Sequence, residues 1–319
     1  MTQDETEVPK DIPDGARAGA AVVDATGTAE PPKYQAFHFK WSRALLTLVG
    51  LAVMGCLLYG FINSPNLEWS AFFQYLFYPH VIRGIWMTLL LTAISMVIGT
   101  VLGILAALAK MSKIHGFRLI ANAYVWIFRG TPLLVQVIIA FNLSLFIPEL
   151  NFGFWQVDTN LVMTPFFSAA IALTLNEGAY MSEYIRGAIL GVDPGQKEAA
   201  LSQGMSSTKA MSRIVLPQAI PTLIPIFGNQ TISMLKATSI VSVIAAAELL
   251  TQVTIIYHQN YYVIELLLVA CFWYITMVTI LSVIQYYIER ELASRVHDRG
   301  PRESLKTKLQ NNLLTWRRA

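Results

Sequence analysis

The chain has 319 residues, 55% of them hydrophobic and 13% charged, with a formal net charge of +3 and a mean hydropathy of +0.50. Soluble domains carry roughly 25% charged residues, so a soluble fold of this chain would leave large apolar patches in water. Disordered proteins, disulfide scaffolds and ordinary soluble enzymes are excluded, and the small positive charge does not point to nucleic acid.

Residues 1–40 are unlike the rest. They carry Asp4, Glu5, Glu7, Asp11, Asp14, Asp24 and Glu30 among Pro9, Pro13, Pro31 and Pro32. Such a stretch buries too little apolar area to offset its ordering entropy, which predicts a disordered tail. The apolar run at 41–62 is long enough to cross a hydrocarbon core of roughly 30 Å. Its long polar lead-in and the lack of a small-x-small cleavage site argue for a retained span over a signal peptide.

Further runs follow at 84–109, 120–147, 161–184, 217–236 and 262–288, and together the six runs predict an all-helical polytopic membrane protein. Residues 238–257 are apolar but interrupted by Glu248, and are expected to form a re-entrant or interfacial helix. Residues 291–319 read as a charged tail. Cys56 and Cys271 both fall inside apolar runs and read as reduced thiols. Gly99 and Gly103, four apart, permit close approach of a neighbouring helix. Pro221 and Pro225 are expected to bend the fifth run.

Lys and Arg gather in alternate loops: Lys33, Lys40 and Arg43; Lys110, Lys113 and Arg118; Arg186, Lys197, Lys209 and Arg213; then Arg290, Arg295 and Arg299. The intervening loops at 63–80 and 148–160 contain neither residue. Positive charge marks the cytoplasmic side, so both termini, and the insertion at 186–217, are expected inside the cell.

That insertion is the most informative segment. Asp193 is placed to cap a short helix that has Pro194 at its first position. Gly204 suits a terminator with positive φ. Ser206 or Ser207 starts a second helix, which Pro217 is expected to end before the next span begins. Two short helices joined at a glycine form a rigid knob suited to docking a soluble partner.

Glu198-Ala199-Ala200-x3-Gly204-x9-Ile214-x-Leu216-Pro217 resembles the signature of bacterial ABC importer permeases. Three neighbouring segments resemble permeases of the histidine/glutamine/arginine type: Phe128 to Gln136, Leu175 to Gly187 and Lys236 to Ser239. The resemblance covers about 83–290. It implies a type I ABC importer transmembrane fold with a five-span core, here with one extra N-terminal span, in the bacterial inner membrane. The implied partners are cytoplasmic ATPase subunits that bind ATP and Mg, a second permease subunit (identical or related), an extracytoplasmic amino-acid-binding protein and membrane lipid, with no nucleic acid. It also implies that Glu198, Ala199, Ala200, Gly204, Ile214, Leu216 and Pro217 couple the chain to the ATPase. Glu177 and Ala237 depart from the family pattern, which more often has a small residue and an acidic one there.

Glu177 in hydrocarbon would cost roughly 2.5–3.5 kcal/mol, so it should face protein or water. With Asn176 it either lines the translocation path, where it attracts a substrate ammonium, or makes a contact that holds the bundle together. Gln136, Asn142, Asn229 and Gln230 are further pathway candidates. No catalytic residues are predicted: a phosphate-cradling loop is missing from the sequence, and His38, His80, His115, His258 and His297 lack metal-ligand spacing. The chain is therefore expected to bind no cofactor or metal of its own. The alternatives are an importer permease for a related solute such as an opine, an ion-gradient transporter working alone, or a membrane enzyme using Glu177 and Glu248.

Overall fold

A computed structural model describes residues 41–151, 153 and 156–297. The tail expected at 1–40 and nearly all of that expected at 291–319 lie outside the described residues. The chain divides into two compact units, the first ending at Ser64 and the second beginning at Pro65. The described part of the first unit is essentially one helix, α1 (Trp41–Ile62). Its 22 residues reach roughly 33 Å at 1.5 Å per residue, and apolar residues surround it without a polar stripe, as a membrane solvent permits.

The second unit opens with α2 (Trp69–Leu76), a short helix within the 63–80 loop that lacks Lys and Arg. It is tied to the end of the chain by Trp273 Nε1, which donates to Leu76 O at 2.7 Å. The backbone N–H of Glu68 likewise donates to Glu265 Oε1 at 2.9 Å. α3 (Pro79–Lys110) starts on a proline, whose missing N–H costs nothing in a first turn. It turns at Met111–Ile114 into α4 (His115–Gly130) and then α5 (Leu133–Phe141).

Here the third apolar run is not one continuous helix. α4 and α5 meet at an angle of 105°. Pro132 supplies the cause: the residue before a proline is pushed out of helical space, and Thr131 is extended at φ −115°, ψ 146°. A two-stranded ribbon follows, β1 (Glu149–Asn151) antiparallel to β2 (Gln156–Asp158), with Leu150 opposite Val157. It was not foreseen.

α6 (Thr159–Val162) leads to α7 (Pro165–Leu190), the most enclosed long helix of the bundle. α3 packs along it at very short range. A Cβ on Gly103 would lie 2.5 Å from Met181 Cβ, and one on Gly99 would lie 2.9 Å from Glu177 Cβ. The small-residue pair therefore does what its spacing predicts. Because α7 is enclosed by protein it tolerates more polar residues than its neighbours. Among the described residues, four helical stretches are apolar and long enough to cross a membrane, with the bent α4–α5 pair as a fifth, and α7 is not among them.

Two short helices come next, α8 (Pro194–Ser202) and α9 (Ser207–Ala210). A wider turn at Met211–Val215 carries the chain into α10 (Leu216–Ala237). Pro217 was expected to end the second short helix; instead the helix runs on unbroken from Ser207 to Ile244. A proline ring collides with the carbonyl four residues back, here that of Arg213, and the wider turn just ahead of Pro217 makes room for it. Gln218 Nε2 covers the Ile214 carbonyl in that turn at 2.9 Å. α10 also continues through Pro221 and Pro225.

After a tighter stretch at Thr238–Ile244 the chain reverses at Ala245, with φ 54°, and enters α11 (Leu249–Asn260). α12 (Val263–His297) closes the bundle. One core cluster joins Leu91, Val137, Leu173, Met181, Met234 and Val241 around α7. A second joins Val81, Leu235, Leu249, Val253, Leu266 and Val269 around α11. Residues 238–257 are thus packed against α3 and α12 within the bundle.

Candidate functional site

The break between α4 and α5 leaves backbone carbonyls without helical partners, a serious cost away from water. Gln136 and Asn176 satisfy them. Gln136 Nε2 donates to Phe128 O at 2.9 Å and to Thr131 O at 3.0 Å, and also lies 2.8 Å from Thr131 Oγ1. Asn176 Nδ2 reaches across from α7 to Phe128 O at 3.0 Å and to Gln136 Oε1 at 3.1 Å. Two of the candidates predicted from sequence therefore act together as the cap of a broken helix. One turn along α7, the Arg129 guanidinium sits 5.2 Å over the Tyr180 ring, a cation–π contact.

Glu177 is next to Asn176 but faces α3 and α10. It is 1% exposed. Gln230 Nε2 donates to Glu177 Oε2 at 3.2 Å, while Glu177 Oε1 is buried with no hydrogen-bond partner among the described residues. Gly99 forms the wall against its stem. A buried carboxylate with one oxygen unpaired is costly, and nothing in the packing around Glu177 offsets that cost.

The two remaining candidates lie elsewhere. Asn142 Nδ2 folds back onto Ile138 O of its own helix at 2.9 Å. Asn229 Oδ1 accepts from Gln285 Nε2 of α12 at 3.3 Å. The six candidates thus resolve into the Gln136–Asn176 cap, the Glu177–Gln230 pair and two outliers. Sequence reasoning missed Tyr124, whose hydroxyl donates to Leu175 O at 2.6 Å beside this cluster; a tyrosine in an apolar run carries no signal of such a partner. It also missed the ionic knot at the end of α3 and α7, where Glu183 binds Lys110 and, at 2.8 Å, Arg186.

Glu248, the other buried carboxylate, is fully used. Its oxygens accept from Leu250 N at 2.9 Å, Thr251 N at 2.7 Å, Thr251 Oγ1 at 3.1 Å and Tyr274 Oη at 2.8 Å. It is the N-cap of α11 and has no spare acceptor strength for acid–base chemistry.

At the other end of α7, the α8–α9 segment is built as the spacing predicts. Asp193 accepts from Gly195 N at 2.9 Å, and Ser206 caps α9 through Lys209 N at 3.4 Å. Gly204 has φ +81° with open space around its Cα, so backbone conformation and not crowding requires glycine there. Met205 N bonds Ala200 O at 3.1 Å and Gly204 N bonds Leu201 O at 2.9 Å, the paired bonds of a Schellman stop. The motif residues divide between two faces. Ala200 is buried, Ile214 and Leu216 are half-buried, and Glu198, Ala199, Gly204 and Pro217 are exposed. Val215 of the turn after α9 and Ala219 of α10 pack with Ala188 and Ile189 at the end of α7.

Residues 99–294 match the model of the binding-protein-dependent transport system inner membrane component family. The chain belongs to this family. The arginine transport system permease protein ArgU of Corynebacterium glutamicum is 36% identical over 82% of this chain and 84% of its own length. The L-cystine transport system permease protein TcyB of Bacillus subtilis is 40% identical over 69% of this chain and 89% of its own. Among solved structures, a subunit of an amino acid ABC transporter crystallised with histidines superimposes with a TM-score of 0.63 at 36% identity, covering 71% of this chain and 99% of that one. The methionine transporter MetNI matches at 19% identity with a TM-score of 0.54, which speaks for the fold alone.

This inner-membrane component is therefore a multi-pass membrane protein with the type I ABC importer fold. Members of the family are transmembrane permease subunits and not the catalytic ones. Neither the lone ion-gradient transporter nor the membrane enzyme is favoured by this membership.

Proposed function

We propose that this permease subunit carries polar amino acids across the inner membrane, receives them from an extracytoplasmic binding protein, and is driven by ATPase subunits docked on the α8–α9 knob. The observation that carries this reading is the exposed, glycine-stopped helix pair that runs directly into the turn and helix whose Val215 and Ala219 are packed on the end of α7. The arginine, cystine and glutamine permeases to which the chain is similar support the substrate class. The positive-inside charge pattern supports cytoplasmic termini and a cytoplasmic knob.

In this reading closure of the ATPases displaces the knob, the displacement passes through Val215 and Ala219 to α7, and the helices reorient around the path. Glu177 Oε1 then offers its unpaired oxygen to the ammonium of a passing amino acid. The site is weak by design, because the binding protein has already made the selection. ATP and Mg belong to the partner subunits, and a second permease subunit completes the path.

The test is reconstitution of the complex with its ATPase and binding protein. Deleting residues 198–204, or replacing Gly204→Val, should lower uptake at least tenfold while ATP hydrolysis persists. Wild-type coupling in these variants, or a knob mapped to the outer face, overturns the proposal.

A further inference from the structure

The α3–α4 hairpin holds a groove of about 420 Å³ on its open side. Leu102, Leu105 and Ala109 of α3 form one wall and Phe117, Ile120 and Tyr124 of α4 the other. Each wall repeats at helical spacing, so the groove follows the crease between the two helices up to the turn at Met111–Ile114. The walls are hydrocarbon. The one polar side chain among those six, Tyr124, turns its hydroxyl away to Leu175 O.

The closed end of the crease is cationic. Lys113 lies in the turn and Arg118 follows Phe117, both exposed and neither in an ion pair among the described residues. Lys110, by contrast, is committed to Glu183. The stretch from Trp69 to Pro148 contains no Asp or Glu, so nothing on the hairpin competes for these two charges. The first turn of α4 also lacks a side-chain cap, which leaves its N–H groups turned toward the same end and adds to the positive field there.

An apolar crease between two helices of a membrane protein, with two cations free of ion pairs near its turn, matches one kind of molecule in both of its parts. We infer that the α3–α4 crease is a binding site for an anionic glycerophospholipid, with an acyl chain along the groove and the phosphate at Lys113 and Arg118. A free phosphate would make no use of the crease's apolar walls. The lipid holds the hairpin at a fixed depth, and with it the bent α4–α5 pair whose break adjoins Asn176.

The experiment uses the detergent-purified permease–ATPase complex, titrated with phosphatidylglycerol or phosphatidylethanolamine and read by native mass spectrometry. Wild type should retain phosphatidylglycerol preferentially. Each basic side chain near an anionic surface is worth about fivefold in affinity, so the K113Q/R118Q double variant should lose roughly thirtyfold. A109W, which fills the crease with both cations intact, should lose retention of both lipids. Binding of ATPase subunits by both variants shows that the fold is preserved. Three results would overturn the inference: unchanged phosphatidylglycerol retention in either variant, equal retention of both lipids by wild type, or displacement of the lipid by millimolar inorganic phosphate alone.

Discussion

Glu248 and Glu177 are the same side chain at nearly the same burial, 0% and 1% exposed, yet their surroundings are opposite. Around Glu248, two backbone N–H groups and two hydroxyls converge on the carboxylate. Around Glu177 there is one amide donor, a glycine wall and a vacant lone pair. A buried acid that is saturated with donors is a structural part, since each removed bond would strand a donor. A buried acid left half-paired is a cost that its packing does not offset, which is why Glu177 and not Glu248 is proposed to meet the substrate.

The contrast breaks down if the two residues respond alike to substitution. E248A should be the most damaging change, because it strands two backbone donors and the Tyr274 hydroxyl. The expected loss is about 3–5 kcal/mol, seen as loss of folded protein after detergent extraction. G103A comes next. Its Cβ would lie 2.5 Å from Met181 Cβ, and separating α3 from α7 should cost about 1–3 kcal/mol in a thermal melt. G187A, on α7, meets nothing within 4 Å and should be neutral, so equal melts for the two alanines would refute the close-packing account.

Q136A should cost about 1–2 kcal/mol by uncovering the carbonyls of the α4–α5 break. A small stability change, within about 1 kcal/mol, is expected for E177Q, since only one weakly paired oxygen is altered. Its effect should appear in transport instead. Uptake by the reconstituted complex should fall at least tenfold at unchanged melting temperature. Wild-type rate and affinity in E177Q would remove this residue from the path and reduce it to a packing contact.

Among the described residues, local features were the most legible. The capping of α8 by Asp193, the positive φ of Gly204 and the close approach at Gly99 and Gly103 all follow from residues a few positions apart. The break at Thr131–Pro132 carried a signal, a proline within an apolar run, but length and hydropathy alone do not say where a run bends. Pro217 misled in the other direction, because a wider turn absorbed it. The ribbon at Glu149–Asp158 and the helix α2 lie in loops whose composition is indifferent to secondary structure.

What the sequence determined by itself was the list of apolar segments, their approximate ends, and the knob between the fourth and fifth runs. Those depend on each segment's own affinity for lipid or on hydrogen bonds within a few residues. Which polar side chains meet was settled only by the tertiary structure. Asn176 finds Phe128 across 48 positions, Gln230 finds Glu177 across 53, and Asn229 turns to Gln285 across 56. Whether a buried carboxylate is saturated or left waiting depends on helices brought together from far along the chain, and no property of a single segment encodes that.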